Sequence, residues 1–432
     1  MKKCLVVGGG LAGLSAAVSL TKQNIHVQLL EASPKFGGRT YSFLDEKSGN
    51  VIDNGQHLLL GCYYETIEFI KLIRATDSFH FQKQLEINVV AINKINYQLK
   101  ATELPYPLGL LFGLLNYDVL SILDKIKIIL LITQLPFLQS EKYLNLSVED
   151  WLQEQNQSRN CIKSFWEIIA VGALNSQLKD ASAKIFIDIL KVIFLKGSDA
   201  SAMIIPKVGL SKAFIDPAIS LLQRNNSELV LSEKLLEVSV TDKKAISVIT
   251  DKGTINNFDA VILAIPSYAL NKINANNLII ENGKTDLSTS SIVTLHLWLK
   301  QNKLKKPFYA FIDSPLHWVF NHGAYITTVT SSADEMIEKT QEELLSVVSA
   351  ELHAYLGITT EDISSYKVIK EKRATFIPNK ENLENRPSAK TKVENVFLAG
   401  DWTDTGLPAT IEGAIKSGNT AALEVKKYFS SF

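Results

Sequence analysis

Cysteine is scarce in this chain, which has only three among its 432 residues. Cys4, Cys62 and Cys161 stand far apart, and no C-x-x-C pair occurs. This spacing excludes a disulfide framework and a zinc site built from cysteine pairs, and it is typical of a reducing compartment. Cys4 lies within an apolar run, where we expect it to be an ordinary core residue.

An excess of charge of either sign is also missing, because 45 Lys and Arg residues balance 45 Asp and Glu residues. Such a chain has no overall field that would attract nucleic acid or an anionic surface. We therefore expect no nucleic-acid partner. The Ser-His-Asp signature of a hydrolase, a cluster of metal ligands and a phosphoryl-transfer lysine motif are absent too, so we predict neither a hydrolase nor a metal site.

No uncharged apolar run approaches the roughly 20 residues that a membrane-spanning helix requires. The apolar run at the N-terminus is interrupted at Gly8 after only four residues, so the sequence implies no export and a cytoplasmic location. The longest apolar segments cover residues 104–117 and 128–140. They belong either to a protein core or to a peripheral patch on the inner membrane face, through which a membrane-dissolved substrate enters.

The start of the chain carries the pattern of a dinucleotide-binding unit. An apolar strand over residues 4–7 leads into Gly8, Gly10 and Gly13, which have the G-x-G-x-x-G spacing and open an Ala-rich helix. These glycines allow a tight turn, close approach of the backbone to a pyrophosphate, and close packing of helix on strand. A second strand ends in Glu31, whose carboxylate is placed for a ribose hydroxyl; an acid at this point disfavours NADP.

Two loops that follow are expected to complete this site. The loop over residues 32–40 contains Pro34 and paired glycines, and it delivers Arg39 as a cation beside the expected pyrophosphate. A surface turn with a solvated arginine is the alternative interpretation. The second loop is the polar turn Asp53-Asn54-Gly55-Gln56-His57, which follows a β-branched pair.

These motifs, together with a C-terminal stretch, resemble the FAD-dependent amine oxidase and isoprenoid desaturase superfamily. The C-terminal stretch reads Val396-Phe397-Leu398-Ala399-Gly400-Asp401-Trp402 and then Ala409-Thr410-Ile411-Glu412-Gly413-Ala414. The resemblance implies that FAD is the cofactor, that Asp401 binds its ribityl and pyrophosphate region, and that the Ile411 amide meets the flavin ring. A helix N-terminus at this point stabilises negative charge on a reduced flavin.

Within the superfamily, residues 53–61 and 401–410 are most similar to the hydroxysqualene dehydroxylase family, also called squalene-associated FAD-dependent desaturases. This resemblance implies that a hydride from reduced flavin replaces the hydroxyl of an apolar C30 isoprenoid alcohol, giving squalene in hopanoid biosynthesis, with an unspecified electron donor. Three alternatives stay open: an isoprenoid desaturase, an amine oxidase, and a non-catalytic flavoprotein scaffold. Thr410 counts against an amine oxidase, since amine oxidases normally carry an aromatic residue at this position.

The resemblance also implies a set of site residues. His57 and Asp53 are the candidate acids that assist departure of water, and a purely structural turn or cofactor contact is the alternative for both. The predicted cofactor-binding residues are Gly8, Gly10, Leu11, Ala12, Gly13, Glu31, Ala32, Gly37, Gly38, Arg39, Thr40, Gly55, Gln56, His57, Leu235, Ala264, Gly400, Asp401, Thr410, Ile411 and Ala414.

The predicted fold class is α/β: a Rossmann-like FAD-binding domain plus an α+β substrate domain with a mixed or antiparallel sheet and helices. The FAD-binding domain is assigned to residues 1–75, 205–270 and 372–432. The substrate domain takes residues 76–204 and 271–371, with a helical, possibly membrane-facing part over 104–204. Two local expectations are a helix over 119–135 that is apolar nearly all round from Ile128 onward and is therefore buried against protein or lipid, and a half-buried strand over 291–299 in which His296 is a satisfied or exposed side chain.

Overall fold

The computed structural model describes residues 2–273, 279–280 and 285–431. A five-stranded parallel sheet forms the centre of one half of the molecule. Its strands come from both chain ends and from the middle, as in the Rossmann-like fold class that the sequence predicts. In spatial order they are Glu228–Val230, His26–Leu30, Lys3–Val7, Ala260–Leu263 and Val396–Leu398.

The first and last helices of the chain pack against each other on this sheet. Leu11–Thr21 is buried almost throughout, and Ile411–Ser430 crosses it at Gly418, where an added Cβ would lie 2.1 Å from the Ala12 carbonyl oxygen. The Ser15 hydroxyl donates to the Ile415 carbonyl across the same contact. The small residues of both helices therefore join the two ends of the chain. The helices Tyr64–Leu72 and Asp216–Arg224 and the small sheet of Leu235–Thr241, Lys244–Thr250 and Thr254–Ile255 complete this half.

A seven-stranded mixed sheet forms the second half. In spatial order its strands are Ile363–Phe376, Thr289–Leu299, Ile326–Ser331, Trp318–Asn321, Phe308–Phe311, Glu86–Ala91 and Ile95–Lys100. All pairs are antiparallel except that of Phe308–Phe311 with Glu86–Ala91. The expectation of a half-buried strand over 291–299 was wrong, because Thr289–Leu299 is buried on both faces. The helix Gln341–Leu356 covers one face, and the other faces the large cavity of the protein.

Helices fill most of the chain between residues 104 and 201. They are Leu108–Leu115, Ile122–Gln134, Val148–Glu154, Arg159–Cys161, Glu167–Leu174, Ala183–Leu195 and Ser198–Ser201. The part of the helix Ile122–Gln134 from Ile128 onward, expected to be buried, is buried on one side only, since Leu130 is 54% exposed. Ile122–Gln134 buries Ile128 and Leu131 but exposes Ile122 by 75% and Leu123 by 71%. Within the described residues, no helix combines the length and hydrophobicity needed to cross a membrane.

The remaining short elements link the two halves. They are the hairpin Ser42–Asp45 with Asn50–Asp53, the three-stranded sheet of Leu59–Leu60, Met203–Pro206 and Phe79–Phe81, and the helices Ser267–Leu270 and Lys380–Glu384. Every strand of the parallel sheet falls inside the segments assigned to the FAD-binding domain. The strand Ile363–Phe376, by contrast, crosses the proposed boundary at residue 372. We keep the domain division as a proposal.

Candidate active site

The glycine turn after the first strand forms a cradle at the carboxyl end of Lys3–Val7, the central strand of the parallel sheet. Gly8 has a φ of +109°, and an added Cβ would lie 2.3 Å from the Ala264 carbonyl oxygen. Gly10 is the N-cap of the helix Leu11–Thr21, which has neither a side-chain cap nor an acidic residue in its first turn. The first N–H groups of this helix are therefore available to an anion, as a pyrophosphate requires. Gly13 does not border the cavity but lets the helix approach Gly8.

Glu31 stands at the tip of the second strand, as predicted. Its carboxylate accepts hydrogen bonds from the Gly9 amide at 2.7 Å and from the Ser33 amide at 2.8 Å. These bonds hold the carboxylate beside the glycine turn, and both Glu31 and Ala32 border the cavity. The position suits a ribose hydroxyl; the ligand role itself stays a prediction.

Arg39 and Asp401 form an ion pair between residues that are 362 positions apart. One guanidinium nitrogen of Arg39 lies 2.7 Å from each carboxylate oxygen of Asp401, and a second nitrogen donates to the Ala374 carbonyl. The Asp401 carboxylate raises the pKa of Arg39 above its ordinary value. The Asp401 side chain is buried, whereas that of Arg39 is 43% accessible where it borders the cavity. A fixed cation is thus presented beside the glycine cradle.

Arg386 lies outside the recognisable sequence motifs, and it fixes the loop that contains Asp401. Its guanidinium donates to the carbonyls of Asp401, Thr403 and Leu407, and it lies 4.7 Å from the ring of Phe376. Burial lowers the pKa of Arg386 to about 10, which still leaves it charged near pH 7. An isolated arginine in a loop gives no spacing signal, so sequence reasoning could not identify it.

The last helix begins at the cavity, as the resemblance implied. The Thr410 hydroxyl caps this helix by accepting a hydrogen bond from the Gly413 amide. The Ile411 N–H lies in the first turn, ahead of the first backbone hydrogen bond of the helix, which runs from Ala414 to Thr410. Ile411 and Ala414 border the cavity. Glu412 turns away and accepts bonds from the amides of Glu65 and Thr66, at the start of the helix Tyr64–Leu72.

The turn that carries His57 is held by a histidine of the seven-stranded sheet. His296 is buried, and its Nε2 lies 2.9 Å from the Asp53 carbonyl oxygen while its Nδ1 lies 2.9 Å from the Thr327 hydroxyl. Because a carbonyl only accepts, Nε2 carries the proton and Nδ1 accepts from Thr327. Burial lowers the pKa of His296 to about 4, so the ring is neutral near pH 7. The expectation of a satisfied histidine is confirmed, and its partner is the candidate catalytic turn.

The two candidate catalytic residues occupy different places. The Asp53 carboxylate accepts from the Ser42 hydroxyl and the Leu210 amide, and Asp53 is absent from the cavity wall. This geometry is that of a structural group rather than of a proton donor to a substrate. His57 borders the cavity, where burial, and secondarily the charge of Arg39, lowers its pKa to about 4. A neutral imidazole keeps one N–H that can donate to a ligand.

One cavity of about 1110 Å³ joins these features. Every predicted cofactor-binding residue except Gly13 lies on its wall. Away from the glycine cradle the wall becomes almost wholly apolar, and a few polar groups stand between the two parts. The apolar part includes Leu85, Ile87, Leu99, Tyr106, Leu110, Leu111, Leu114, Ile129, Ile132, Phe165, Ile168, Ile169, Ile193 and Phe194, and the polar groups include Asn175, Thr294, Ser331 and Thr375.

The cavity therefore has space for a dinucleotide beside a long apolar ligand, and its polar end is built as an anion cradle. The uncapped helix at Gly10 and the fixed cation of Arg39 fit the pyrophosphate of FAD. Among the residues that the structure describes, no group of three or more His, Cys, Asp or Glu side chains is arranged to hold a metal ion.

Comparison with known proteins agrees with this geometry. The family model described as flavin containing amine oxidoreductase matches residues 11–426. Hydroxysqualene dehydroxylase of Zymomonas mobilis is 28% identical over 96% of this chain and 97% of its own length. Hydroxysqualene dehydroxylase of Sinorhizobium fredii is 27% identical over 98% of this chain and 97% of its own.

A more distant relative and a solved structure also match nearly all of this chain. The 15-cis-phytoene desaturase of Glycine max is 23% identical over 97% of this chain and 78% of its own length. A redesigned triple mutant of putrescine oxidase superposes with a TM-score of 0.74 at 16% identity, covering 99% of both chains. The predicted fold class is thereby confirmed.

Replacing Arg39 by Gln should weaken FAD binding by about 10- to 100-fold, because a charge-assisted hydrogen bond contributes about 1.5–3 kcal/mol. The matched control is Lys35→Gln, which removes the same charge from the same loop but from a side chain that does not border the cavity. FAD titration of the apoprotein, followed by quenching of flavin fluorescence, measures both affinities. Equal affinities in the two variants would contradict the placement of Arg39 at the cofactor.

Proposed function

The chain belongs to the flavin-containing amine oxidoreductase family, and on that premise we propose that it reductively removes the hydroxyl of hydroxysqualene to give squalene, as in hopanoid biosynthesis. FAD is its cofactor and it is an oxidoreductase. The observation that carries the proposal is the lining of the cavity, which combines a large apolar part and a few polar side chains with the FAD cradle. The names of the relatives from Zymomonas and Sinorhizobium support the same substrate.

The proposed reaction is a two-electron reduction of the alcohol to the hydrocarbon. Reduced FAD, when bound, supplies a hydride to the carbon that loses the hydroxyl. The C–O bond breaks, a C–H bond forms at the same carbon, and the oxygen leaves as water after taking a proton from the medium. An external donor of two electrons is required for each turnover. The apolar wall excludes water from the electron-deficient carbon, so that hydride and not hydroxide reaches it.

His57 is our candidate for the group that assists departure of the oxygen. It borders the cavity on a turn fixed by His296, and its low pKa keeps it neutral near pH 7 with one N–H able to donate. A hydrogen bond from that N–H would stabilise the negative charge that develops on the departing oxygen. Asp53 is less suited to this task, because its carboxylate accepts hydrogen bonds from Ser42 and Leu210.

The reduced enzyme should convert hydroxysqualene to squalene when mixed with it in the absence of oxygen. Flavin reoxidation at its visible absorption band should accompany formation of one squalene per flavin, identified by mass. The competing candidate is a desaturase, which the relative from Glycine max supports. Formation of a more unsaturated product from squalene or phytoene by the oxidised enzyme, without dehydroxylation by the reduced enzyme, would contradict the proposal.

Replacing His57 by Ala should slow that single turnover by about 100-fold or more, the range for loss of a hydrogen-bond donor to a developing negative charge, while FAD stays bound. His80→Ala is the control, because His80 is exposed on the strand Phe79–Phe81. Full activity of the His57 variant would contradict a catalytic role for His57 and leave it as a cofactor contact. It would not contradict the proposed overall reaction.

We also propose that the protein binds peripherally to the cytoplasmic face of a membrane, where its apolar substrate dissolves. The apolar part of the cavity reaches the helices Leu108–Leu115 and Ile122–Gln134. The outer sides of the same helices and the following turn expose apolar side chains, among them Ile122, Leu123 and Phe137, the last by 85%. An exposed apolar patch continuous with an apolar cavity suits entry of a substrate from lipid.

The triple variant Ile122→Ser, Leu123→Ser, Phe137→Ser should lose affinity for phosphatidylglycerol-containing vesicles by at least about ten-fold, since each apolar side chain contributes roughly 1.5–3 kcal/mol when buried. The control is Leu44→Ser with Val51→Ser, which removes comparably exposed side chains from the hairpin Ser42–Asp45 with Asn50–Asp53. Vesicle flotation measures both. Equal flotation of the two variants would contradict the membrane patch, whereas turnover of detergent-dissolved substrate should be unaffected.

A further inference from the structure

A directed pair of hydrogen bonds ends at a hydroxyl on the cavity wall. The Ser332 amide donates to Asn175 Oδ1 at 2.9 Å, and Asn175 Nδ2 donates to Thr375 Oγ1 at 2.9 Å. Asn175 is buried at the C-terminal end of the helix Glu167–Leu174, with a left-handed backbone (φ 47°, ψ 43°) that asparagine tolerates better than most residues. The amide side chain is therefore held from both sides.

The direction of these bonds follows from hydrogen-bond chemistry alone. A backbone N–H can only donate, so the oxygen of the Asn175 amide must face Ser332 and its nitrogen must face Thr375. An amide nitrogen can only donate in turn, so Thr375 Oγ1 accepts. The hydrogen of the Thr375 hydroxyl is left for a different acceptor, and among the described residues the structure gives it none.

Asn175 and Thr375 both border the cavity, at the junction between its two parts. The preceding residue of Thr375, Ala374, accepts from Arg39 through its carbonyl, so Thr375 lies beside the Arg39–Asp401 pair of the cofactor cradle. The helix that ends at Asn175 contributes Ile168, Ile169 and Ala173 to the apolar part of the wall. The Thr375 hydroxyl therefore lies on the cavity wall next to the cofactor cradle, within reach of a ligand in the apolar part.

We propose that Thr375, oriented by Asn175, donates a hydrogen bond to the hydroxyl oxygen of the apolar alcohol and thereby selects the alcohol over the corresponding hydrocarbon. This inference rests on the proposed function for the identity of the alcohol. Thr375 is a substrate-binding residue in this account, and Asn175 is a positioning residue. Once an apolar ligand covers the Thr375 hydroxyl, leaving that donor without a partner is costly, so the site disfavours a ligand that lacks the oxygen.

The selection also favours release of product. Squalene differs from its alcohol by the loss of one oxygen, and with that oxygen the hydrogen bond to Thr375 is lost. The donor additionally strengthens as negative charge grows on the departing oxygen, so it contributes to C–O cleavage as well as to binding.

The test compares the equilibrium binding of hydroxysqualene and of squalene to the oxidised holoenzyme. Binding is detected as a change in the flavin absorption spectrum. The wild-type protein should bind the alcohol more tightly than the hydrocarbon. Thr375→Val, which keeps the shape and removes the hydroxyl, should weaken alcohol binding by about ten-fold and change squalene binding by less than about two-fold. Thr375→Ser should restore the preference for the alcohol.

Two further variants separate positioning from general damage to the fold. Asn175→Gly keeps the left-handed backbone but frees the Thr375 hydroxyl, so alcohol preference should fall while squalene affinity is retained. Thr328→Val removes a hydroxyl from the opposite face of the same sheet, where it faces the Leu295 carbonyl, and should change neither affinity. Equal loss for both ligands in Thr375→Val, or an unchanged preference, would overturn the inference.

The outcomes also separate this inference from the proposed function. If the wild-type protein prefers the alcohol, and Thr375→Val abolishes that preference, the inference stands even when the reduced enzyme forms no squalene. If squalene forms but the preference is unaffected by Thr375→Val, the reaction stands and the inference fails.

Discussion

The ion pair between Arg39 and Asp401 is the contact on which the site depends. It joins the loop after the second strand to the loop after the last strand, and both surround the glycine cradle. Arg386 holds the Asp401 loop in place by donating hydrogen bonds to its carbonyl groups. Ala374, in the seven-stranded sheet, accepts a hydrogen bond from Arg39. Because these partners come from distant parts of the chain, the cofactor site exists only in the folded protein, and FAD binding should stabilise the whole assembly.

The two halves of the molecule have different physical tasks. The parallel sheet and its helices supply backbone N–H groups and a fixed cation, which suit an anionic dinucleotide. The seven-stranded sheet and the helices between residues 104 and 201 supply an apolar wall with sparse polar groups, which suits a long hydrocarbon with one oxygen. His296 connects these tasks, because a side chain of the large sheet fixes the turn that presents His57 beside the cofactor cradle.

Much of the cofactor half could be predicted from sequence, because its signals are local. Strand, glycines, helix and Glu31 follow one another within 31 residues, and each has a backbone reason for its identity. The burial of the helix Ile122–Gln134 could not be predicted, since an apolar sequence is the same whether its outer face meets protein or not. The roles of Arg386, Asn175 and Thr375 could not be found either. Their partners are 15 to 200 residues away, and a single Arg, Asn or Thr has no characteristic spacing.

The central claim is that three segments distant in sequence converge on one FAD. Amide hydrogen–deuterium exchange of the apoprotein, with and without added FAD, tests it most directly. The account predicts slower exchange on FAD binding in residues 8–12, 37–40 and 400–411 together, with no comparable change in residues 46–51 at the tip of the hairpin Ser42–Asp45 with Asn50–Asp53. Protection confined to residues 8–12, or no protection at all, would contradict it.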